Sequence, residues 1–269
     1  MTDFSPLPLP PELQQALEVL EYRQMTPVQA ASLPPILAGR DVIAQARTGS
    51  GKTAAFGLGL LSKLQPDAGQ VQALVMCPTR ELADQVGKEI RRLGRQLPNL
   101  KVSVFCGGVP LRPHLASLVH PPQLVVGTPG RLQELMDEGA LKLDGLRVAV
   151  LDEADEMLDL GFREELELIL EDTPKERRTL MFSATVPKGI AALATRYQKN
   201  GMRITTDSDT TAHADIAYEA LVVAPGDEEN AIVNIVRHSD SESALVFCST
   251  RAAVNKLMSR MGNRGFPVV

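Results

Sequence analysis

The sequence predicts an α/β fold built on a mostly parallel, helix-covered sheet, and three observations carry that prediction. Between residues 41 and 205 short apolar runs alternate with amphipathic stretches of helical period, the order that βαβ crossovers produce. The run at 41–45 leads through Ala46-Arg47-Thr48-Gly49-Ser50-Gly51-Lys52-Thr53 into a helical pattern that opens Thr53-Ala54-Ala55-Phe56. The run Val148-Ala149-Val150-Leu151 has no polar interruption and ends on Asp152-Glu153-Ala154-Asp155, as a strand buried on both faces would.

Taken in order, strands are expected near 42–46, 72–77, 101–106, 123–127, 147–151, 179–183 and 203–205. The loop after the first strand reads as a phosphate loop. Its glycines let backbone N–H groups converge on phosphate oxygens, and the helix that follows adds its positive end. Thr48, Gly49, Ser50 and Gly51 would form the cradle, Lys52 would lie along the terminal phosphates, and the Thr53 hydroxyl would ligate magnesium. Ala46 replaces the first glycine of the strict pattern; the alternative is a flexible Gly/Ser turn before a helix. Open α/β sheets place ligands at the carboxyl ends of their strands, so Asp152 would emerge beside the phosphates. There it would hold Mg2+ through water while Glu153 polarises the attacking water. An acidic, solvated helix start is the competing explanation.

Two more strand-to-helix turns carry an arginine: Pro78-Thr79-Arg80 and Thr128-Pro129-Gly130-Arg131. Amides at such turns can face phosphates. Ordinary capping accounts for them equally well, with Thr128 as cap and Pro129 at the first helical position. Thr26-Pro27-Val28-Gln29 also reads as a capping box, and Thr185 as a cap for the helix near Pro187. The four histidines, His114, His120, His213 and His238, have no metal-ligand spacing.

A net charge of −5 and a pI of about 5.5 argue against diffuse attraction to nucleic acid, so any RNA contact must be local. Cys77, Cys106 and Cys248 are odd in number and lie at or near the ends of apolar runs, which suits reduced core thiols and a cytoplasmic setting. Neither a signal segment nor a membrane-spanning run is evident. Residues 207–215 are polar and read as a linker. Beyond it a second α/β pattern is expected: strands at 216–223 and 244–248, helices at 227–238 and 251–261, and the start of another strand at 266–269.

At the phosphate loop and the acidic tetrad the chain resembles the DEAD-box ATP-dependent RNA helicases, bacterial members most. Pro78-Thr79-Arg80-Glu81-Leu82, Gly107-Gly108, Thr128-Pro129-Gly130-Arg131 and Ser183-Ala184-Thr185 match further motifs in the family's order. Phe4, Tyr22 and Gln29 resemble its adenine-reading Q motif at 4–29, with Glu21 where the family usually has glycine. The resemblance implies a RecA-like P-loop NTPase domain at 1–206 and, at 216–269, the start of a second RecA-like domain, about a third of it, opened by Leu245-Val246-Phe247-Cys248-Ser249-Thr250. It implies an enzyme that binds Mg-ATP and single-stranded RNA and locally unwinds short duplexes. Tyr22 would stack on adenine and Gln29 pair with its edge. Thr79, Arg80, Gly107, Gly108, Thr128, Gly130 and Arg131 would contact the RNA backbone, and Asp155, Ser183 and Thr185 would couple hydrolysis to domain closure. The family's second-domain arginines find no counterpart up to Val269, so this chain by itself is expected to turn over poorly, as a monomer. A nucleotide-responsive binding module and a DNA-directed motor are the other readings. Some bacterial members act in ribosome assembly, but no RNA target is legible.

Overall fold

The computed structural model describes residues 3–65, 68–206, 217, 219–239 and 242–269, in two compact units, Met1–Asp209 and Thr210–Val269. The first unit runs α1 (Pro11–Val19), α2 (Pro27–Leu37), β1 (Val42–Gln45), α3 (Lys52–Leu61), β2 (Ala73–Met76), α4 (Arg80–Leu93), β3 (Val102–Phe105), α5 (Leu111–Leu118) and β4 (Leu124–Gly127). It continues with α6 (Pro129–Asp137), β5 (Val148–Asp152), α7 (Ala154–Asp159), α8 (Arg163–Glu171), β6 (Arg178–Ser183), α9 (Lys188–Tyr197) and β7 (Met202–Thr205). Every strand lies within two residues of its expected position.

The seven strands form one sheet in the order β3-β4-β2-β5-β6-β1-β7, and every pairing is parallel. Alternation along the strands divides the core between the two faces. Val75, Val126, Val150 and Phe182 join Leu33, Ile36, Phe56 and Ile90 on the side of α2, α3 and α4. Leu74, Met76, Val125, Ala149, Leu151 and Met181 join Leu132, Met157, Leu166 and Ile169 on the other. Burying each of the larger side chains is worth about 1.5–3 kcal/mol. Gly59 has no room for a side chain: a Cβ there would stand 2.3 Å from Ile36 Cγ2, so α3 packs closely on α2. At the amino ends of the strands the buried Asp41 carboxylate accepts from Thr179 N (2.9 Å) and Lys199 N (2.7 Å), tying the starts of β6 and β7 to β1.

In the second unit α10 (Glu228–His238) and α11 (Arg251–Gly262) form as expected. Val233, Leu257 and Met261 are buried there, with Cys248 and Phe266 packed against them. Glu229 pairs with Lys256 (2.7 Å) and with Arg260. The strands expected at 216–223, 244–248 and 266–269 do not form among the described residues. Leu245 and Phe247 are instead 88% and 91% exposed. Alternating apolar residues give a segment the propensity for a strand, but a strand exists only where a neighbour completes its ladder. The linker expected at 207–215 lies outside the described residues.

Candidate nucleotide site and nucleic-acid interface

Strand order gathers the chemistry. β5, β6 and β1 are adjacent, with Asp152 opposite Phe182 and Gln45 opposite Ser183. The phosphate loop, the acidic tetrad and Ser183-Ala184-Thr185 therefore leave the same edge of the sheet side by side. The other half, β2, β4 and β3, sends Thr79, Thr128 and Gly107-Gly108 out at the same edge.

Lys52 begins α3, and its Nζ lies 3.0 Å from Glu153 Oε1 and 3.0 Å from the Ala46 carbonyl oxygen it donates to. Thr48 Oγ1 donates to the same Glu153 oxygen at 2.8 Å. Gly51, the residue before α3, has φ +91, and a Cβ there would come within 2.6 Å of Gln29 Nε2. Glu153 itself is held at φ 50, a left-handed conformation costing a non-glycine residue about 1 kcal/mol or more. Asp152 is 2% exposed and its Oδ1 has no hydrogen-bond partner. Burial raises its carboxyl to about 7, against the pull of Lys52 and with the help of Glu153. A cleft of about 760 Å³ opens here, lined by Tyr22, Thr48, Gly51, Lys52, Thr53 and Asp152 among others.

At its rim the Tyr22 hydroxyl donates to Glu89 (2.7 Å) and accepts from Arg92 (3.0 Å), whose guanidinium lies 5.6 Å from the ring centroid. Burial and then Glu89 raise the Tyr22 hydroxyl above its ordinary value. Gln29 completes the capping box read from the sequence: Oε1 accepts from Thr26 N (2.9 Å), while its own N–H is directed at Thr26 Oγ1 (3.4 Å). Its Nε2 also donates to the Gly51 carbonyl at 3.1 Å, so the cap touches the phosphate loop. Glu21 sits at φ 58, the backbone that would favour a glycine at that turn.

Thr185 does not cap α9, whose N-cap is Pro187. Its N–H and Oγ1 both donate to Asp155 Oδ2 (2.9 and 2.8 Å), and Ser183 Oγ accepts from Asp155 N (3.2 Å). Partial burial would raise the Asp155 carboxyl, but these hydrogen bonds outweigh it and hold it below the ordinary value.

On the other half of the edge Thr79 caps α4 through Leu82 N (3.3 Å). Gly108, at φ +76, lies against Arg80; a Cβ there would be 2.6 Å from Arg80 Nη1. Thr128 stands at the N-cap of α6 with Pro129 following, as expected, but its side chain makes no cap bond: its Oγ1 accepts from Gly107 N (3.3 Å), joining two of the expected RNA-contact segments. Arg131 is buried. Its Nη1 lies 2.7 Å from His114 Nδ1, Nη2 donates to the Val109 carbonyl at 2.7 Å, and Nε is 2.8 Å from Glu134 Oε2. Among the described residues the Thr53 hydroxyl has no hydrogen-bond partner, and Gly130 offers only its backbone.

Glu89, Arg92 and His114 were not legible as site residues. Glu89 and Arg92 stand one helical turn apart on α4, a spacing indistinguishable from any surface ion pair. His114 lies on α5, seventeen residues from its partner, and no local pattern joins them.

The DEAD/DEAH box helicase family model matches residues 26–193. Among curated proteins, the ATP-dependent RNA helicase DbpA of Escherichia coli is 47% identical over 252 residues, covering 93% of this chain and 55% of its own length. A DEAD-box ATP-dependent RNA helicase, CshA, of Bacillus cereus is 37% identical over 266 residues, 99% of this chain and 50% of its own. The chain thus spans about half the length of the curated relatives it matches. A solved DEAD box protein from the hyperthermophile Methanococcus jannaschii superposes with a TM-score of 0.74 at 33% identity, covering 99% of this chain and 71% of that one.

Proposed function

The chain belongs to the DEAD/DEAH box helicase family, and from that membership we propose that it is the ATP-binding part of an ATP-dependent RNA helicase. The observation that carries the reading is the meeting of Lys52 and Glu153, at one end of a phosphate loop, beside the buried Asp152, whose Oδ1 has no partner. ATP is the substrate. Its phosphates would take over Lys52 and the loop amides, and Glu153, released from Lys52, would orient the attacking water. Tyr22 and Gln29 would receive the adenine, the purine sharing the Tyr22 ring with Arg92.

Mg2+ fits the residues present. The cleft is lined by Glu81, Asp84, Glu89, Asp152 and Glu153 against Lys52, Lys88 and Arg92, an acidic excess that a polyphosphate could not enter without a cation. Asp152 Oδ1 and the Thr53 hydroxyl would hold it, and when bound it would neutralise phosphate charge. For RNA we infer backbone contact across the turns at 79–80, 107–108 and 128–131, with Arg131 bracing the last of them from inside. Asp155, Ser183 and Thr185 would link the phosphate site to closure. A cytoplasmic location suits this reading, and among the described residues no helix is long and apolar enough to cross a membrane. Calorimetry with Mg-ATP, Mg-GTP and single-stranded RNA tests it: adenine-selective, magnesium-dependent binding is the expected result, and its absence in folded protein sinks the proposal.

A further inference from the structure

The turn at 128–131 hangs on a contact that a proton can break. Arginine has only donors, so the 2.7 Å approach of Arg131 Nη1 to His114 Nδ1 requires a lone pair on that nitrogen, and hence a neutral ring carrying its proton on Nε2. The ring packs edge-on against Phe105 at 5.1 Å between centroids. Protonation would set N–H against N–H and one positive charge against another. Arg131 would then keep Val109 O and the Glu134 carboxylate, the latter close but poorly aligned.

The charged groups that act on His114 both come from α6. Burial first and then Arg131 hold the imidazole below its ordinary value of 6.5, with Glu134 opposing. α5 itself carries Arg112, a further cation, and β3 contributes the uncharged Phe105 ring.

We propose that His114 is a proton-sensitive positioning residue for the nucleic-acid face. When neutral it anchors Arg131 and, through it, the first turn of α6, whose preceding residue Thr128 accepts from Gly107 N through Oγ1. When protonated it gives up that anchor and leaves Arg131 to Val109 O and the Glu134 carboxylate alone. The inference rests on the RNA-binding reading above, since a turn that must present amides to a phosphate works only if it is held in place beforehand. Grip on RNA then weakens as pH falls through the lowered value of His114, although histidine gains a positive charge.

The test compares the chain with His114→Gln and His114→Ala, using a single-stranded oligonucleotide of uniform sequence from pH 5 to 8. Glutamine offers an acceptor that cannot be protonated. His114→Gln should match the unmodified chain above pH 7 and hold RNA about tenfold better near pH 5, while His114→Ala is weak at every pH. Identical profiles for the unmodified chain and His114→Gln would overturn the proposal, as would tighter acid-side binding by the unmodified chain, which would mean that the histidine charge itself attracts RNA. Amide NMR of Thr128, Gly130 and Arg131 keeps the two readings separate. A pH step in the unmodified chain that His114→Gln lacks sustains the latch even if no RNA binds, in which case the RNA reading alone fails. Flat shifts in both proteins overturn the latch itself.

Discussion

Lys52 and Glu153, 101 residues apart in the chain, meet at 3.0 Å with side chains only 5% and 9% exposed. An ion pair this deeply buried contributes little net stability, but removing one partner strands the other charge at a cost of about 3–5 kcal/mol. Under the proposed function both residues have a second use, at the phosphates, which would account for the pair.

Lys52→Ala is therefore expected to lose two things together. Calorimetry should register no Mg-ATP binding, and denaturant titration should place the variant several kcal/mol below the unmodified chain. Undiminished nucleotide affinity in folded protein would remove the phosphate-loop assignment.

Gln29→Ala breaks the capping box and the contact with Gly51 in one step. A cap is worth about 1 kcal/mol, so melting temperature should fall modestly, and the preference for ATP over GTP should vanish as well. A lower melting temperature with the preference intact would leave Gln29 a cap and nothing more.

Asp152→Asn tests the buried carboxyl. Its value is raised to about 7, so folding takes up a proton: this contribution to stability is full below the unfolded value near 3.8 and is lost as pH rises through 7. Asparagine cannot ionise. Relative to the unmodified chain the variant should gain roughly 2–3 kcal/mol between pH 5 and 8, read from urea midpoints. Parallel pH profiles would contradict the account.

Thr185→Ala removes one of the bonds that hold the Asp155 carboxyl low. A group depressed on folding stabilises above its unfolded value and loses that contribution as pH falls through the folded one. The Asp155 value, followed by carboxyl NMR, should rise, with nucleotide binding unchanged. An unmoved titration would dissociate Thr185 from Asp155.

Arg80→Ala should weaken single-stranded RNA about equally for all base sequences and flatten the salt dependence by close to one contact, about 0.7 in logarithmic slope. A loss confined to one sequence would indicate base readout.

Much of this was present in the linear chain. Strand positions followed from short apolar runs, because each strand is buried by helices that the same stretch of sequence supplies. The segments 46–53 and 152–155 stood out as candidates because each packs its polar groups into a few consecutive residues, and the Gln29 cap was legible because its partner Thr26 is three residues away.

What the chain could not announce were contacts between distant segments. Whether the side chains of Thr128 and Thr185 bond the amides of their own helices or reach Gly107 and Asp155 depends on which strands lie side by side, and the order β3-β4-β2-β5-β6-β1-β7 is set by packing across the whole sheet. Arg131 reads as an outward cation until α5 brings His114 over it. The strands expected in the second unit fail for the same reason: propensity is local, but a ladder needs a neighbour.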